Sequence, residues 1–498
     1  DNNTLKVVSG DNAIFNITPN DGYILDIDSQ TCEGTLSSTG IYTINNITEN
    51  KECSLTLKLG NLDKSGANSP SLVQGLIPVI YDSSDGSKWV KADSKNENKT
   101  YQWYDYNNKK WANAVLVSST NRNTYQNATP GTTIDDSDIL AFYVWIPRYK
   151  YKVWNINKVV GTDSYNARTK GIDIIFEKEK ESTGTISCTY SYKSPSSSAN
   201  SPNETCVGSN GDYYAHPAFT FGSDELRGFW MGKFELTGNT MTLSISPSHI
   251  SLTALTASNY STMIQNMQAS SNIYGLSTSR TNADSHMITN MEWGAVAYLT
   301  NSKYGRCTNN SCTEVTINNY SGKSTGIGGN SVSAGYSTTI GAINRYNGSN
   351  GVLASTTGNV TGVYDMSGGV LEYTTGNMSS TSGSYTFYPS SSNFASSWYT
   401  TNTAKYLIKY ANGTSNADQT AYNRGRLGDA TGEIVLNASN SGGWYSDYTY
   451  FPYSSNSWFV RGGDFSSSTR AGIFGFTCQT GEGFNNMSSR ATLVSLSS

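Results

Sequence analysis

GVYDMSGGVLEYTTG, residues 362–376, is the stretch on which the fold turns. Its glycines supply tight turns, and Val363, Tyr364, Met366, Val370 and Leu371 alternate as the apolar positions of a buried strand do. Asp365 and Glu372 sit inside this apolar pattern. A guanidinium fork is the common partner for a buried carboxylate. Arg461, just ahead of Gly462 and Gly463, is therefore predicted to pair with Glu372 or Asp365, which makes Glu372 and Arg461 scaffold residues.

Outward from this stretch the composition sets limits. The chain has 498 residues, 34 Lys plus Arg against 38 Asp plus Glu, a net charge of -4, and only 14% charged residues. Nucleic acid is excluded as a partner, because a phosphate backbone calls for a basic face. With 34 Tyr, 10 Trp and 12% aromatics, the chain packs with rings and solvates itself with hydroxyls and amides. Thr, Tyr, Val and Ile lie between Gly, Asn and Ser clusters, the pattern of short strands joined by turns. The fold class expected is mostly β with a few short helices, an α+β arrangement. No apolar run reaches the 18 or so residues of a spanning helix, so no membrane span is expected within the chain. Asp1 at the start leads us to expect a leader or anchor outside it.

Seven cysteines form local couples, Cys32 with Cys53, Cys188 with Cys206 and Cys307 with Cys312, leaving Cys478 over. We read them as three disulfides and hence as a sign of extracytoplasmic life, each worth about 2 to 3 kcal/mol. Free thiols are the alternative; a metal site would need C-x2-C couples and nearby histidines.

Three units are expected. Residues 1–60 alternate at period two between turn signals and resemble the immunoglobulin-like or repeat-type β modules of bacterial surface proteins. Residues 61–137 read as a hairpin-rich connecting module around Trp103, Tyr104 and Trp111. Residues 138–498 form the largest domain, with an insertion at about 157–215 that includes the polar loop SPSSSANSPNE. Two helices are predicted within it, over 252–268 with Leu252, Leu255, Met263 and Met267 on one face, and over 290–305 with Met291, Val296 and Leu299.

FYVWIPRYKY (142–151), GFWMGKFELTG (228–238), NMEWGAVAYL (290–299), the opening stretch and WFVRGGDF (458–465) follow in order, ahead of MSSRATLV (487–494). Together they resemble the formylglycine-generating-enzyme-like, or sulfatase-modifying-factor, branch of the C-type-lectin fold. The resemblance implies that fold for the C-terminal domain, preceded by small β-rich modules. It does not carry the family's chemistry across. Its oxidases hold copper with two cysteines a few residues apart, where this chain has Cys478 alone, and its iron-dependent relatives use three histidines, whereas His216, His249 and His286 are scattered. Gly369 stands where the family has an asparagine beside a calcium position. No catalytic residue or cofactor is expected; a structural calcium held by backbone carbonyls and Asp loops is compatible with the sequence.

Other catalytic signatures fail. SGKST (321–325) lacks the first glycine of a phosphate loop, which is Ile317 here, and Asp135-Asp136 and Asp224-Glu225 read as solvated loop carboxylates. What remains is surface: Trp444, Tyr445, Tyr448, Tyr450, Phe451, Tyr453 and Trp458 lie in Ser/Gly/Asn-rich loops of the kind that bind ligands. The same family includes retroelement-diversified binders, and the region from Arg461 to Val494 resembles their variable segment, with Asp464, Ser466 to Thr469 and Asn485-Asn486 as loop positions. The function expected is therefore non-enzymatic: an extracellular or cell-surface protein of a bacterium or phage that displays the domain for adhesion to a surface glycan or protein. A filament or pilus subunit contacting copies of itself, and a diversified or phage receptor-binding protein, are the alternatives.

Overall fold

The computed structural model describes all residues except 1–3, 21–22, 38–39, 85, 87, 153, 159–170, 186–187, 191–203, 210, 270–271, 277–281, 310, 330–343, 379–389, 396, 399–404, 412–418 and 497–498. The fold is mostly β with few helices. The polar loop expected at 194–204 lies outside the described residues apart from Glu204.

Residues 4–60 make two small antiparallel sheets. Ala13–Asn16, Ile41–Ile44 and Thr35–Leu36 form one, and Tyr23–Asp26 with Thr56–Leu59 the other. Period-two alternation puts Ala13, Tyr42 and Ile44 into a core of their own. The Cys32–Cys53 disulfide closes this unit, and the Tyr42 hydroxyl lies 2.7 Å from the Cys32 carbonyl oxygen.

The rest is built on a seven-stranded antiparallel sheet in the order Ala283–Met287, Ala491–Ser495, Gly228–Gly232, Ile139–Pro147, Asn113–Val117, Leu76–Asp82, Lys88–Lys91. Its central strands, AFYVW and GFWMG among them, are apolar on both faces because both faces are covered. Asn113–Val117 pairs with Ile139–Pro147, so the boundary expected at 137 crosses a strand pair, and one core runs from Val73 to Val494. The tryptophans lock the hairpin region to this core. Trp103 and Trp145 pack on Trp230 at 6.2 and 5.2 Å between ring centroids, and the Trp111 indole N–H donates to the Tyr304 carbonyl at 2.8 Å.

A second sheet has the order Ile408–Tyr410, Leu371–Met378, Trp458–Gly462, Gly472–Gln479, with Met487–Ser489 also paired to Leu371–Met378. The register slips at Arg461/Gly462, where Gly462 and Gly463 take φ of 85° and 71°. A β-carbon at Gly463 would come within 2.6 Å of the Ala471 Cα, so only glycine fits that bend.

Helix Asn290–Thr300 is shorter than its predicted span and buried on every side. It starts at a capping box in which the Thr289 side chain and backbone are matched by Glu292. Helix Ala257–Asn266 corrects an expectation: Thr256 caps it, so Leu252 and Leu255 precede it, and the buried face is Ala257, Tyr260, Ser261 and Ile264. All three expected disulfides are present, Cys188–Cys206 and Cys307–Cys312 as directly opposed strand neighbours, and Cys478 is free and buried. Among the described residues no helix is long and apolar enough to cross a membrane.

Candidate functional site

The sequence motifs meet in one buried cluster, with a change of partner. Glu372 accepts from Arg490 Nε at 2.9 Å and Nη2 at 2.5 Å, not from Arg461, and Arg490 Nη1 donates to the Gly232 carbonyl. Strand register does set Glu372 opposite Arg461. Arg490, one residue past Met487–Ser489, takes the carboxylate from the other side, since Ser488 also neighbours Glu372. Asp365 accepts from Asn318 Nδ2 and the Gly326 N–H, and Glu235 from Ser251 Oγ and the Val370 N–H. Burial raises the pKa of Asp365 and Glu235. All four side chains are fully enclosed, so this cluster is scaffold.

Arg461 turns instead to the loop 423–435. Its Nη1 donates to Asn290 Oδ1 and the Asp429 carbonyl, and its Nη2 to the Ala430 carbonyl, at 3.2–3.3 Å, while the guanidinium stacks near Trp293 and Phe476. Asp429 is held by Thr431 Oγ1 and two backbone N–H groups. Glu433 accepts from the Tyr298 hydroxyl and the Gly428 N–H, and burial beside Asp429 pushes its pKa up to about 8. Lys158 pairs with Glu204 at 3.3 Å, and His216, enclosed by Tyr149, Tyr151, Phe219 and Tyr298, is driven down to about 3 by burial. Asn290, Tyr298 and Arg461 of this second nest lie in the quoted motifs, but no motif announced the rest, which come from the insertion, from His216 beside it and from an irregular loop.

The seven ring positions divide. Trp444, Phe451 and Trp458 are core, against expectation: Trp444 stacks on Phe474 at 4.9 Å, Trp458 stacks on Phe394 at 5.0 Å, and Phe451 meets Phe476 edge-on at 5.1 Å. Composition cannot separate a loop ring from a core ring, because both follow Ser and Gly. Tyr445 is half-buried, stacks on Trp444 and hydrogen-bonds to Asn301 Oδ1 at 3.0 Å. Tyr448, Tyr450 and Tyr453 are also half-buried, with Tyr448 and Tyr450 in ring contact at 4.9 Å.

Tyr448 opens onto a surface cleft of about 330 Å³. Leu371 gives it apolar surface, Val460 and Phe476 lie enclosed beneath it, and Gly463, Ser466, Ser467, Arg470 and Thr477 complete it. The loop over it is stiffened by Asp464, whose carboxylate accepts from Ser466 N and Oγ, Ser467 Oγ and Asn486 Nδ2 at 2.8–3.0 Å. Arg470 is exposed, 5.9 Å from the Tyr448 ring centroid, and no carboxylate pairs with it among the described residues. Of the expected loop positions the cleft thus gathers Tyr448, Ser466 and Ser467, with Asp464 and Asn486 as braces. Arg470, Leu371 and Phe476 were not foreseen; nothing in their local pattern distinguishes a cleft wall from a strand.

The free cysteine and the three histidines sit in different surroundings. Cys478 is buried, which raises its thiol pKa, and its sulfur takes a 3.4 Å contact from Gln419 Nε2. His216 lies in the second nest, His249 is exposed against the Pro247 carbonyl, and His286 is buried between Asp284 and Glu292. Among the described residues the only group of His, Cys, Asp and Glu atoms near enough together for a metal is Cys188, Glu204 and Cys206, whose two sulfurs are bonded to each other. Comparison with protein-family models and with curated proteins finds no match to this chain.

Proposed function

We propose that this chain is the displayed, ligand-binding part of an extracellular surface protein, binding rather than transforming its ligand. One observation carries this reading: the cleft sets a guanidinium, with no carboxylate partner among the described residues, beside an aromatic ring and the Leu371 side chain, on a loop already braced by Asp464. A pre-stiffened loop loses little entropy on binding. Ring and leucine suit the apolar face of a sugar or a side chain, and Arg470 suits a carboxylate or hydroxyl beside it. Three disulfides support an oxidising compartment. The order of motifs, and the meeting of Glu235, Asp365, Glu372 and Arg490, support the C-type-lectin scaffold with the cleft as its binding face.

The test is a screen of the full chain on arrays of glycans and extracellular-matrix proteins, repeated with Tyr448→Ala and Arg470→Ala. A bound array member that loses about tenfold or more in affinity in both variants supports the reading. No bound member, or binding that neither variant weakens, overturns it.

A second reading, a filament subunit, is favoured by the N-terminal unit. Tyr23, Ile24, Leu57 and Leu59 are exposed on a ladder of only two strands, both of whose outer edges are unpaired among the described residues. Such edges add further strands readily.

A further inference from the structure

Lys109 and Arg306 line a second pocket, of about 200 Å³, together with Gly305 and the hydroxyls of Thr308, Ser311, Thr313 and Thr357. No carboxylate lines it. The geometry points to an oxyanion site: a sulfate or phosphate group, free or carried on a saccharide, held between the Lys109 ammonium and the Arg306 guanidinium.

The pocket is built rather than accidental. Lys109 takes φ 59° at the end of the turn Tyr106–Asn108, a conformation lysine enters only under constraint, and its carbonyl is clamped by Asn359 Nδ2 at 2.9 Å and Thr361 Oγ1 at 3.3 Å. From there its Nζ donates to Thr308 Oγ1 at 2.7 Å. Arg306 is fixed from behind, Nη2 donating to the Glu314 carbonyl at 3.0 Å and Nε to the Thr313 carbonyl at 3.4 Å. A β-carbon at Gly358 would fall 2.4 Å from Nη1, so the guanidinium lies directly against that glycine. Nη1 has no acceptor among the described residues. The Cys307–Cys312 bridge closes the hairpin that brings Thr308 and Ser311 to the rim.

Two cations this close repel: the Lys109 ammonium is held below its usual range by burial and then by Arg306. Neither has a carboxylate within ion-pair distance among the described residues. An oxyanion removes that repulsion, accepts from Nη1 and Nζ, and takes further hydrogen bonds from the hydroxyls. Lining residues, and hence tests, are separate from those of the Tyr448 cleft, so either site can fail without the other.

The experiment is calorimetric titration of the full chain at fixed ionic strength with sodium sulfate, sodium phosphate, and a sulfated disaccharide against its unsulfated counterpart. Lys109→Gln and Arg306→Gln remove the cations. Ser311→Asp, at an exposed position that tolerates change, sets a carboxylate at the rim should Arg306→Gln fail to fold. Saturable binding that weakens about tenfold in Lys109→Gln and in Ser311→Asp, at unchanged melting temperature, is the expected result. A sulfated disaccharide that binds well above free sulfate assigns the site to an esterified saccharide, and equal affinity assigns it to the free ion. No saturable binding of any oxyanion, or equal binding in both variants, overturns the proposal.

Discussion

Within the described part of the first sixty residues only Ala13, Tyr42 and Ile44 are buried apolar side chains, and eight of the fifteen exposed large apolar ones among all the described residues lie there. From Val73 onward one core continues to Val494, and it encloses whole tryptophans and whole ion pairs. At about 60 residues folding hides only about 60% of the unfolded chain's surface, so a disulfide and a few ladder bonds have to help hold the N-terminal unit. The body is large enough to bury charge, and burial then makes those charges interdependent. The two regions should therefore fail separately and for different reasons.

The severest test of that separation is Arg490→Met. It strands Glu372 in the core with Asp365 and Glu235 nearby and removes a two-armed partner. Breaking a buried pair from one side costs about 3–5 kcal/mol. Hydrogen exchange should show the body's protection collapse while amides of Ile41–Ile44 keep theirs; a joint collapse would break the comparison.

Next is the pair Cys32→Ser and Cys53→Ser. For a sequence separation of 21 the lost cross-link is worth about 3 kcal/mol. In the N-terminal unit that should be most of the stability. Proteolysis within residues 4–60 is the expected result, with the body's melting temperature unchanged.

How far the sequence shows this division differs by element. Period-two alternation and turn residues made both regions legible as β, and cysteine spacing gave all three bridges. Strand register faces Arg461 to Glu372, while the competing Arg490, which takes the carboxylate, arrives on a separate segment that no local pattern connects. Periodicity counted from Leu252 turns the wrong helix face inward, because the Thr256 cap lies four residues further on. Trp444, Phe451 and Trp458 look like surface in the sequence because flanking Ser and Gly are common to loops and to the tight turns beside a core. The cleft at Tyr448 was half visible: its loop could be named, its floor could not.

A pH series sharpens the contrast further. His286, between Asp284 and Glu292, has its pKa raised to about 9 from an ordinary 6.5, although burial alone, the largest influence, would lower it. A raised folded-state pKa gives stability that is complete below about 6.5 and lost as pH climbs through about 9. Glu433, raised to about 8 by burial and by Asp429, acts in the same direction, since ionising it in the core costs more than in the unfolded chain. The body's melting temperature is expected to fall steadily between pH 6.5 and 9. The N-terminal unit buries no carboxylate or histidine among its described residues and should hold level. His286→Gln should flatten the upper part of the body's curve.

The smallest expected change is Leu57→Ser. Leu57 is 46% exposed on the two-strand ladder opposite Leu25, so little burial is lost and folding stability should change by no more than about 0.5 kcal/mol. If the ladder's apolar face meets other copies, the same substitution lowers self-association at high protein concentration, read by sedimentation velocity. Unchanged association would leave the exposed leucines as the ordinary surface of a unit too small to cover itself. A large loss of folding stability would instead show that this face is covered within the chain, which would undo the contrast between the two regions at its root.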